Sequence, residues 1–189
     1  AAYASFSFDV SKIDSYPFLV AGGTVCVIPS DIRLDLDALS AFLVENKVTD
    51  LHLPTQFGEQ FMEDFESPYM KRVLIGGEKM RKRFQKSFAV YNSFGPTETT
   101  IDVNFKLVDR DYDNIPIGKP AGNVYEYILD GESLVPVGAP GELCVSGIQV
   151  AAGYLGRPDL TEEKFAPNPY AVNDYTRKMY RTGDLARWN

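Results

Sequence analysis

Most of the features that would assign this sequence to a special class are scarce in it. It has two cysteines in 189 residues, Cys26 and Cys144, and both sit in apolar, strand-like runs. That excludes a disulfide framework and reads as buried thiols of a reducing, cytoplasmic compartment. No apolar run approaches the roughly 20 residues of a membrane helix, and no signal peptide opens the chain. Basic residues are outnumbered: 19 Lys and Arg against 26 Asp and Glu leave a net charge of −7. The longest basic run is Arg81-Lys82-Arg83, so duplex nucleic acid is not an expected partner. There is no internal repeat and no low-complexity tract. The chain begins at Ala1 without Met and ends on Trp188-Asn189, so it reads as a piece of something longer.

The chain is organised around Tyr91-Asn92-Ser93-Phe94-Gly95-Pro96-Thr97-Glu98-Thr99-Thr100. An apolar run from Phe88 to Tyr91 leads in, Gly95-Pro96 breaks any regular element, and an alternating apolar run starts at Ile101. This predicts a strand ending in a tight loop, with hydroxyls and one acid at the strand's C-terminal edge. In open α/β sheets ligands bind outside that edge. Hydroxyls and backbone N–H groups suit phosphate or carboxylate oxygens. A lone carboxylate suits Mg²⁺, which takes one or two carboxylates plus substrate phosphates.

Upstream, Ser5 to Asp9 alternates as a strand with an acid at its exit. Ser11 to Ala21 has a helical apolar pattern that Pro17 interrupts, and Thr24 to Ile28 reads as an apolar strand. Leu36, Leu39, Phe42 and Leu43 share one helical face, as do Phe57, Phe61 and Phe65. Leu51–Leu53 and Arg72–Ile75 read as strands, the second followed by Gly76-Gly77-Glu78 and a short basic helix. Strands alternating with helices predict a largely parallel sheet. From about Asp111 the helical period disappears. Tyr125–Leu129, Ser133–Val135 and Glu142–Ser146 read as short antiparallel strands. Asp159 is the expected N-cap of a helix, with Glu162 three residues on, and Tyr180–Leu185 ends a strand in a loop carrying an acid. The expected division is an α/β unit over residues 1–110 and a β-rich, barrel-like unit over 111–189.

Four stretches, in this order and spacing, resemble one family. They are Phe8-Asp9-Val10-Ser11; Asn92-Ser93-Phe94-Gly95-Pro96-Thr97-Glu98; Gly141-Glu142-Leu143-Cys144-Val145-Ser146-Gly147 with Gly153-Tyr154-Leu155; and Tyr180-Arg181-Thr182-Gly183-Asp184-Leu185. Together they resemble the ANL adenylate-forming enzymes, and within them the amino-acid adenylation domains of non-ribosomal peptide synthetases, over nearly the whole chain. The resemblance implies a flavodoxin-like parallel sheet with helices, followed by a β-barrel-like subdomain. It implies activation of an amino acid by ATP and Mg²⁺ to an aminoacyl-adenylate and pyrophosphate, then transfer to the phosphopantetheine thiol of a peptidyl carrier domain beside other synthetase domains. Such chemistry must hold two anions together and offset charge developing at phosphorus.

Carried over by resemblance, Thr97 touches the α-phosphate and the substrate carboxylate, Glu98 holds Mg²⁺ and Asp184 grips the ribose hydroxyls. Asn92 faces the adenine amino group, and Gly77 and Glu78 form the wall beside adenine. Phe94 stands where the family usually has Tyr, which keeps stacking and loses any phenol contact. Outside the family, Asp184 reads as a residue that stabilises its own turn; Gly153 and Tyr154 read as structural rather than catalytic even within it. The family's pocket-lining pattern falls on Asp9, Val10, Ile13, His52, Leu74, Gly76, Ser93, Ile101 and Asp102. Asp9 would pair with the substrate ammonium, which separates this reading from an acyl- or aryl-CoA ligase of the same family. Val10, Ile13, Leu74 and Ile101 would supply apolar walls and Gly76 space. A desolvated Asp102 needs a donor on the substrate or on His52, which favours a polar side chain, as in Ser or an ornithine-like residue. A non-catalytic module that kept the fold is the other alternative. The family's upstream phosphate loop and its C-terminal lid lysine have no counterpart in these residues. The isolated fragment is therefore expected to be inactive and to expose an apolar face.

Overall fold

The computed structural model describes residues 1–189, which fall into two compact units: residues 1–94 with 104–119, and residues 95–103 with 120–189. The first unit opens irregularly. Residues 5–8 are turn and bend rather than the expected strand, followed by a 3₁₀ turn over Asp9–Lys12 and a five-residue helix, α1 (Tyr16–Val20). The Phe-Ser-Phe alternation misled because Phe6 and Phe8 are exposed at 77% and 67%, so it marks no buried face. Pro17 does not kink a longer helix; it lies in the first turn of α1, where its missing N–H costs nothing. The strand expected over Thr24–Ile28 reduces to one parallel bridge between Ala2 and Val27.

The predicted core elements follow. α2 (Leu36–Glu45) is N-capped by Asp35, whose Oδ1 accepts from the N–H groups of Asp37 and Ala38. β1 (Asp50–Pro54) leads directly into α3 (Thr55–Asp64), and β2 (Arg72–Gly76) and β3 (Ala89–Phe94) complete a parallel three-strand set. β4 (Asn104–Leu107) then runs antiparallel to β3, and β5 (Lys119–Pro120) ends the sheet, which is therefore mixed. The short basic helix expected after Glu78 is absent. The N–H groups of Arg81 and Lys82 donate to Glu59 Oε1 instead of to helical carbonyls, and three adjacent cations disfavour a helical turn.

Side chains alternate across the sheet. One face carries Leu51, Leu53, Val73, Ile75 and Val90, which pack with Leu39 and Leu43 of α2 and Phe61 and Met62 of α3 in one core cluster. Phe57, Phe61 and Phe65 stack in series with centroids 6.1 and 4.6 Å apart, as their four-residue spacing requires. The other face carries His52, Leu74, Tyr91, Gly76 and Ser93, which neighbour one another by register. Phe6, Phe8, Tyr16, Leu19, Val20 and Val27 are exposed apolar side chains of this unit.

The second unit contains a curled, half-barrel antiparallel sheet of β6 (Val124–Asp130), β7 (Ser133–Leu134), β8 (Gly141–Gly147), β9 (Phe165–Pro167) and β10 (Lys178–Ala186), in the order β7-β6-β8-β10-β9. The helix α4 (Pro158–Lys164) is capped by Arg157 rather than Asp159. Pro158 sets the helix start two residues earlier than the Asp-x-x-Glu pattern implied, and Asp159 instead pairs with the exposed Arg157 side chain. Tyr180–Leu185 does not end β10. Thr182–Asp184 is a bulge within it, with Gly183 at φ 80°, and pairing with β8 resumes at Leu185. Neither cysteine is in a disulfide, and burial pushes the Cys144 thiol up to about 11, which leaves it inert. No helix is long and apolar enough to cross a membrane.

Two outcomes follow for the isolated chain. Leu39 is fully buried, so Leu39→Ala should lower unfolding free energy by about 3 kcal/mol, measured by urea denaturation. His52 is buried, and desolvation lowers its imidazole from 6.5 to about 4. Its neutral form is favoured by folding, so this contribution is complete above about pH 6.5 and is lost as pH falls toward about 4. The full loss is roughly 3 kcal/mol. Denaturation between pH 7 and 4 should show it in the wild type and not in His52→Gln. The single-histidine NMR titration should give the depressed midpoint directly.

Candidate functional site

Three parallel strands end side by side in the first unit, with Pro54, Gly76 and Ser93 in register. Gly76 is needed there: a Cβ would stand 2.3 Å from Ser93 Oγ and 2.9 Å from the Ser93 carbonyl oxygen. The space it leaves is therefore filled by the Ser93 hydroxyl, which also lies 3.4 Å from His52 Nε2. His52 and Ser93 are both buried, and Leu74 between them is half-buried. These are four of the nine pocket residues read from the sequence, now on one face of one sheet end.

A cleft of about 340 Å³ lies beside this edge, lined by Pro54, Thr55, Gln56, Phe57, Gly76, Gly77 and Glu78. Thr55 was not singled out in the sequence, yet it shapes the cleft. Its Oγ1 donates to the Glu78 carbonyl at 3.0 Å and accepts from the Glu78 N–H at 3.2 Å. This pins the turn after β2, where Gly77 has φ 98° and its side-chain position is open. A Thr opening a helix directly after a strand-ending Pro was the available signal. Asn92 points to the opposite face from Ser93, is buried, and donates through Nδ2 to the Pro116 carbonyl at 2.9 Å. Phe94, half-buried, is the last residue of β3. Asp9 opens the 3₁₀ turn. It is half-buried and accepts from the Val10 N–H at 2.8 Å, with Val10 and Ile13 also half-buried.

The second unit holds the loop over residues 95–103. A Cβ on Gly95 would lie 1.7 Å from the Ile101 carbonyl oxygen, so only glycine permits the loop to close on itself. Thr97–Thr99 forms a 3₁₀ turn in which Thr99 Oγ1 donates to the Pro96 carbonyl at 2.9 Å. Thr100 and Ile101 follow at φ 57° and 72°, a left-handed pair that costs β-branched residues energy. Two hydrogen bonds hold this strained turn: Thr100 Oγ1 to the Gln149 carbonyl at 2.7 Å, and the Ala151 N–H to the Glu98 carbonyl at 2.8 Å. Thr97 is exposed, and Glu98, Ile101 and Asp102 are half-buried.

Glu98 Oε1 accepts from the Tyr154 hydroxyl at 2.5 Å, and the Tyr180 hydroxyl lies 3.5 Å from that of Tyr154. Burial, then the neighbouring Glu98, raises the Tyr154 phenol above its ordinary range. Burial, then the Tyr154 hydroxyl and Glu98, does the same for Tyr180. Both phenols stay protonated at neutral pH, and that of Tyr154 is the donor to Glu98. At the β10 bulge, Thr182 Oγ1 donates to the Leu143 carbonyl and accepts from the Asp184 N–H at 3.0 Å. Gly183 N–H donates to Glu142 Oε1, also at 3.0 Å. The turn is thus held by Thr182 and Glu142, and the exposed Asp184 carboxylate is not needed to hold it. No group of three or more His, Cys, Asp or Glu is placed to hold a metal ion.

A sequence model of the family described as AMP-binding enzyme matches residues 1–155. Bacitracin synthase 1 of Bacillus licheniformis is 41% identical over 186 residues, which is 98% of this chain and 4% of that protein. Surfactin synthase subunit 2 of Bacillus subtilis (strain 168) is 38% identical over 189 residues, all of this chain and 5% of its own length. The chain therefore spans about one twentieth of the curated relatives it matches. Among solved structures, the nonribosomal peptide synthetase FmoA3 in its AMPPNP-bound form superposes with a TM-score of 0.88 at 28% identity, covering 98% of this chain and 22% of that one. The Klebsiella oxytoca NpsA N-terminal subdomain, in complex with 3-hydroxybenzoyl-AMSN, gives 0.83 at 25% identity over 98% of this chain and 48% of its own. With most of its length matched by that one family and its fold shared with both structures, this chain belongs to the AMP-binding enzymes.

Proposed function

We propose that this chain is the substrate-selecting part of an amino-acid adenylation domain within a larger peptide synthetase. The parent would join an amino-acid carboxylate to the α-phosphate of ATP and release pyrophosphate. It would then pass the aminoacyl group to a phosphopantetheine thiol on a carrier domain, releasing AMP. The observation that carries this reading is the strained loop over residues 95–103, which offers an exposed Thr97 beside a half-buried, oriented Glu98. A hydroxyl and a carboxylate so placed suit an α-phosphate and its divalent cation.

Mg²⁺ fits these residues. It binds through phosphate oxygens and water with one or two carboxylates, and Glu98 is half-buried, held on one oxygen and in no ion pair. When bound, the cation would neutralise phosphate charge as pyrophosphate leaves. Thr97 would hydrogen-bond the α-phosphate and the incoming carboxylate. Asp184, exposed on its bulge, would accept from the ribose hydroxyls. The cleft at Thr55–Phe57 and Gly76–Glu78 would take the adenine, with Asn92 and Phe94 contributing to its recognition. Asp9 would pair with the substrate ammonium, a role a fatty or aryl acid would leave unfilled. Val10, Ile13 and Leu74 would wall the side-chain pocket. The neutral His52 with Ser93 would supply its polar groups, so the preferred substrate carries a hydroxyl or amine.

Pyrophosphate exchange by the full-length parent against the proteinogenic amino acids plus ornithine tests this. Preference for a polar side chain is expected, and preference for a large aliphatic or aromatic amino acid, or for a fatty acid, would refute it. Glu98→Gln should lower exchange roughly 100-fold or more. Asp184→Ala should chiefly raise the KM for ATP, by about tenfold or more for one lost charged hydrogen bond. Wild-type exchange and ATP affinity in either variant would remove that residue from the site.

A further inference from the structure

The resemblance leaves Tyr154 a structural role, but its hydroxyl donates at 2.5 Å to Oε1 of Glu98. The ring is held from several sides. Phe165 meets it edge-on, with centroids 5.4 Å apart and planes at 71°, and Phe165 in turn leans on Tyr180 at 5.1 Å. The Tyr154 N–H donates to Thr161 Oγ1 at 2.9 Å. Gly153 precedes it at φ 148°, where a Cβ would stand 2.3 Å from Thr161 Cγ2, so the backbone approaches α4 as only glycine allows. One residue earlier, Lys178 Nζ donates to the carbonyls of Ala151 and Ala152 at 2.5 and 3.2 Å. The segment from Ala151 to Tyr154 is thus fastened at both ends before its hydroxyl reaches the carboxylate.

Closing the loop does not require that hydroxyl. The Thr100–Gln149 and Ala151–Glu98 hydrogen bonds already tie the loop to this segment through the backbone of Gln149 and Ala151. The phenol adds something else: it fixes one oxygen of Glu98 with a neutral donor. A Lys or Arg in its place would cancel the negative charge and compete with a cation. A phenol orients the carboxylate and leaves its charge for a metal ion.

We propose that Tyr154 is a positioning residue for divalent-cation binding, acting through Glu98. This rests on the reading of Glu98 as the cation's carboxylate. Removing the hydroxyl frees the Glu98 side chain to rotate and should weaken cation binding 10- to 100-fold, the usual cost of losing an outer-shell partner of a metal ligand.

The test uses the full-length parent and Mn²⁺ as the spectroscopic probe, titrated in the presence of ATP and followed by electron paramagnetic resonance of free Mn²⁺. Thermal unfolding is measured in parallel. Tyr154→Phe keeps the ring on Phe165 and should raise the Mn²⁺ Kd 10- to 100-fold while changing ATP affinity without metal less than twofold. Glu98→Gln should do at least as much, and the double variant should match Glu98→Gln alone. Thr100→Ala cuts a loop tie without touching the carboxylate. It should lower the melting temperature and leave Mn²⁺ affinity within about twofold of wild type. Wild-type Mn²⁺ affinity in Tyr154→Phe, with Glu98→Gln defective, would overturn the role of Tyr154 and leave that of Glu98 standing. Wild-type Mn²⁺ affinity in Glu98→Gln would instead overturn the assignment on which the inference rests. A Tyr154→Phe protein that loses stability and Mn²⁺ binding in step with Thr100→Ala would show that the hydroxyl only holds the loop, which also overturns the proposal.

Discussion

A carbonyl oxygen occupies the place where any side chain on Gly95 would begin. From that contact between Gly95 and Ile101 much of the second unit's chemistry follows. The loop can close this tightly only if Thr100 and Ile101 enter the left-handed region, which β-branched side chains resist. The resistance is met by hydrogen bonds from outside the loop, at Gln149 and Ala151. Once held, the loop presents Thr97 to solvent and turns Glu98 toward Tyr154. A reactive geometry depends on such groups being fixed before a ligand arrives, and for Glu98 the Tyr154 hydroxyl adds the hold on the carboxylate itself.

The first unit relies on a different constraint, the register of three parallel strands. Because side chains alternate across a sheet, pairing Gly76 with Ser93 and His52 with Leu74 decides at once which residues meet the helices. Leu53, Ile75 and Val90 turn into the core, while His52, Leu74, Gly76 and Ser93 share the opposite face. A slip by one residue would exchange the two sets, placing a buried imidazole among the core leucines. The close approach of Gly76 to Ser93 guards against that slip, since any larger residue at position 76 would collide with the neighbouring strand.

Legibility in the sequence followed the length and burial of each element. α2, α3, β1, β2 and β3 were readable because each buries one face against a common core, and burial imposes periodicity. The opening segment reads as a strand, but its aromatics are exposed, so its alternation reports no buried face. The stretch after Glu78 reads as a helix because its composition allows one. Glu59, distant in sequence, captures the very N–H groups a helix would need. Tyr154 reads as structural in the sequence for a related reason. A tyrosine after glycine carries no local signal, and its partner lies 56 residues away.

What the sequence determined by itself was the family, through short motifs whose residue types answer directly to chemistry: a Gly-Pro break before hydroxyls and a carboxylate, and an acid in a Thr-Gly-Asp turn. It determined the core helices and strands for the same local reason, that periodic burial leaves a periodic pattern. Tertiary structure alone decided that Thr182 and Glu142 hold the β10 bulge and so leave Asp184 unneeded for its stability. It alone decided that Ser93 fills the space beside Gly76 and that burial keeps His52 neutral. It alone brought a phenol onto Glu98. Each of these depends on a contact between residues far apart in the chain, and such contacts exist only once the backbone has closed around them.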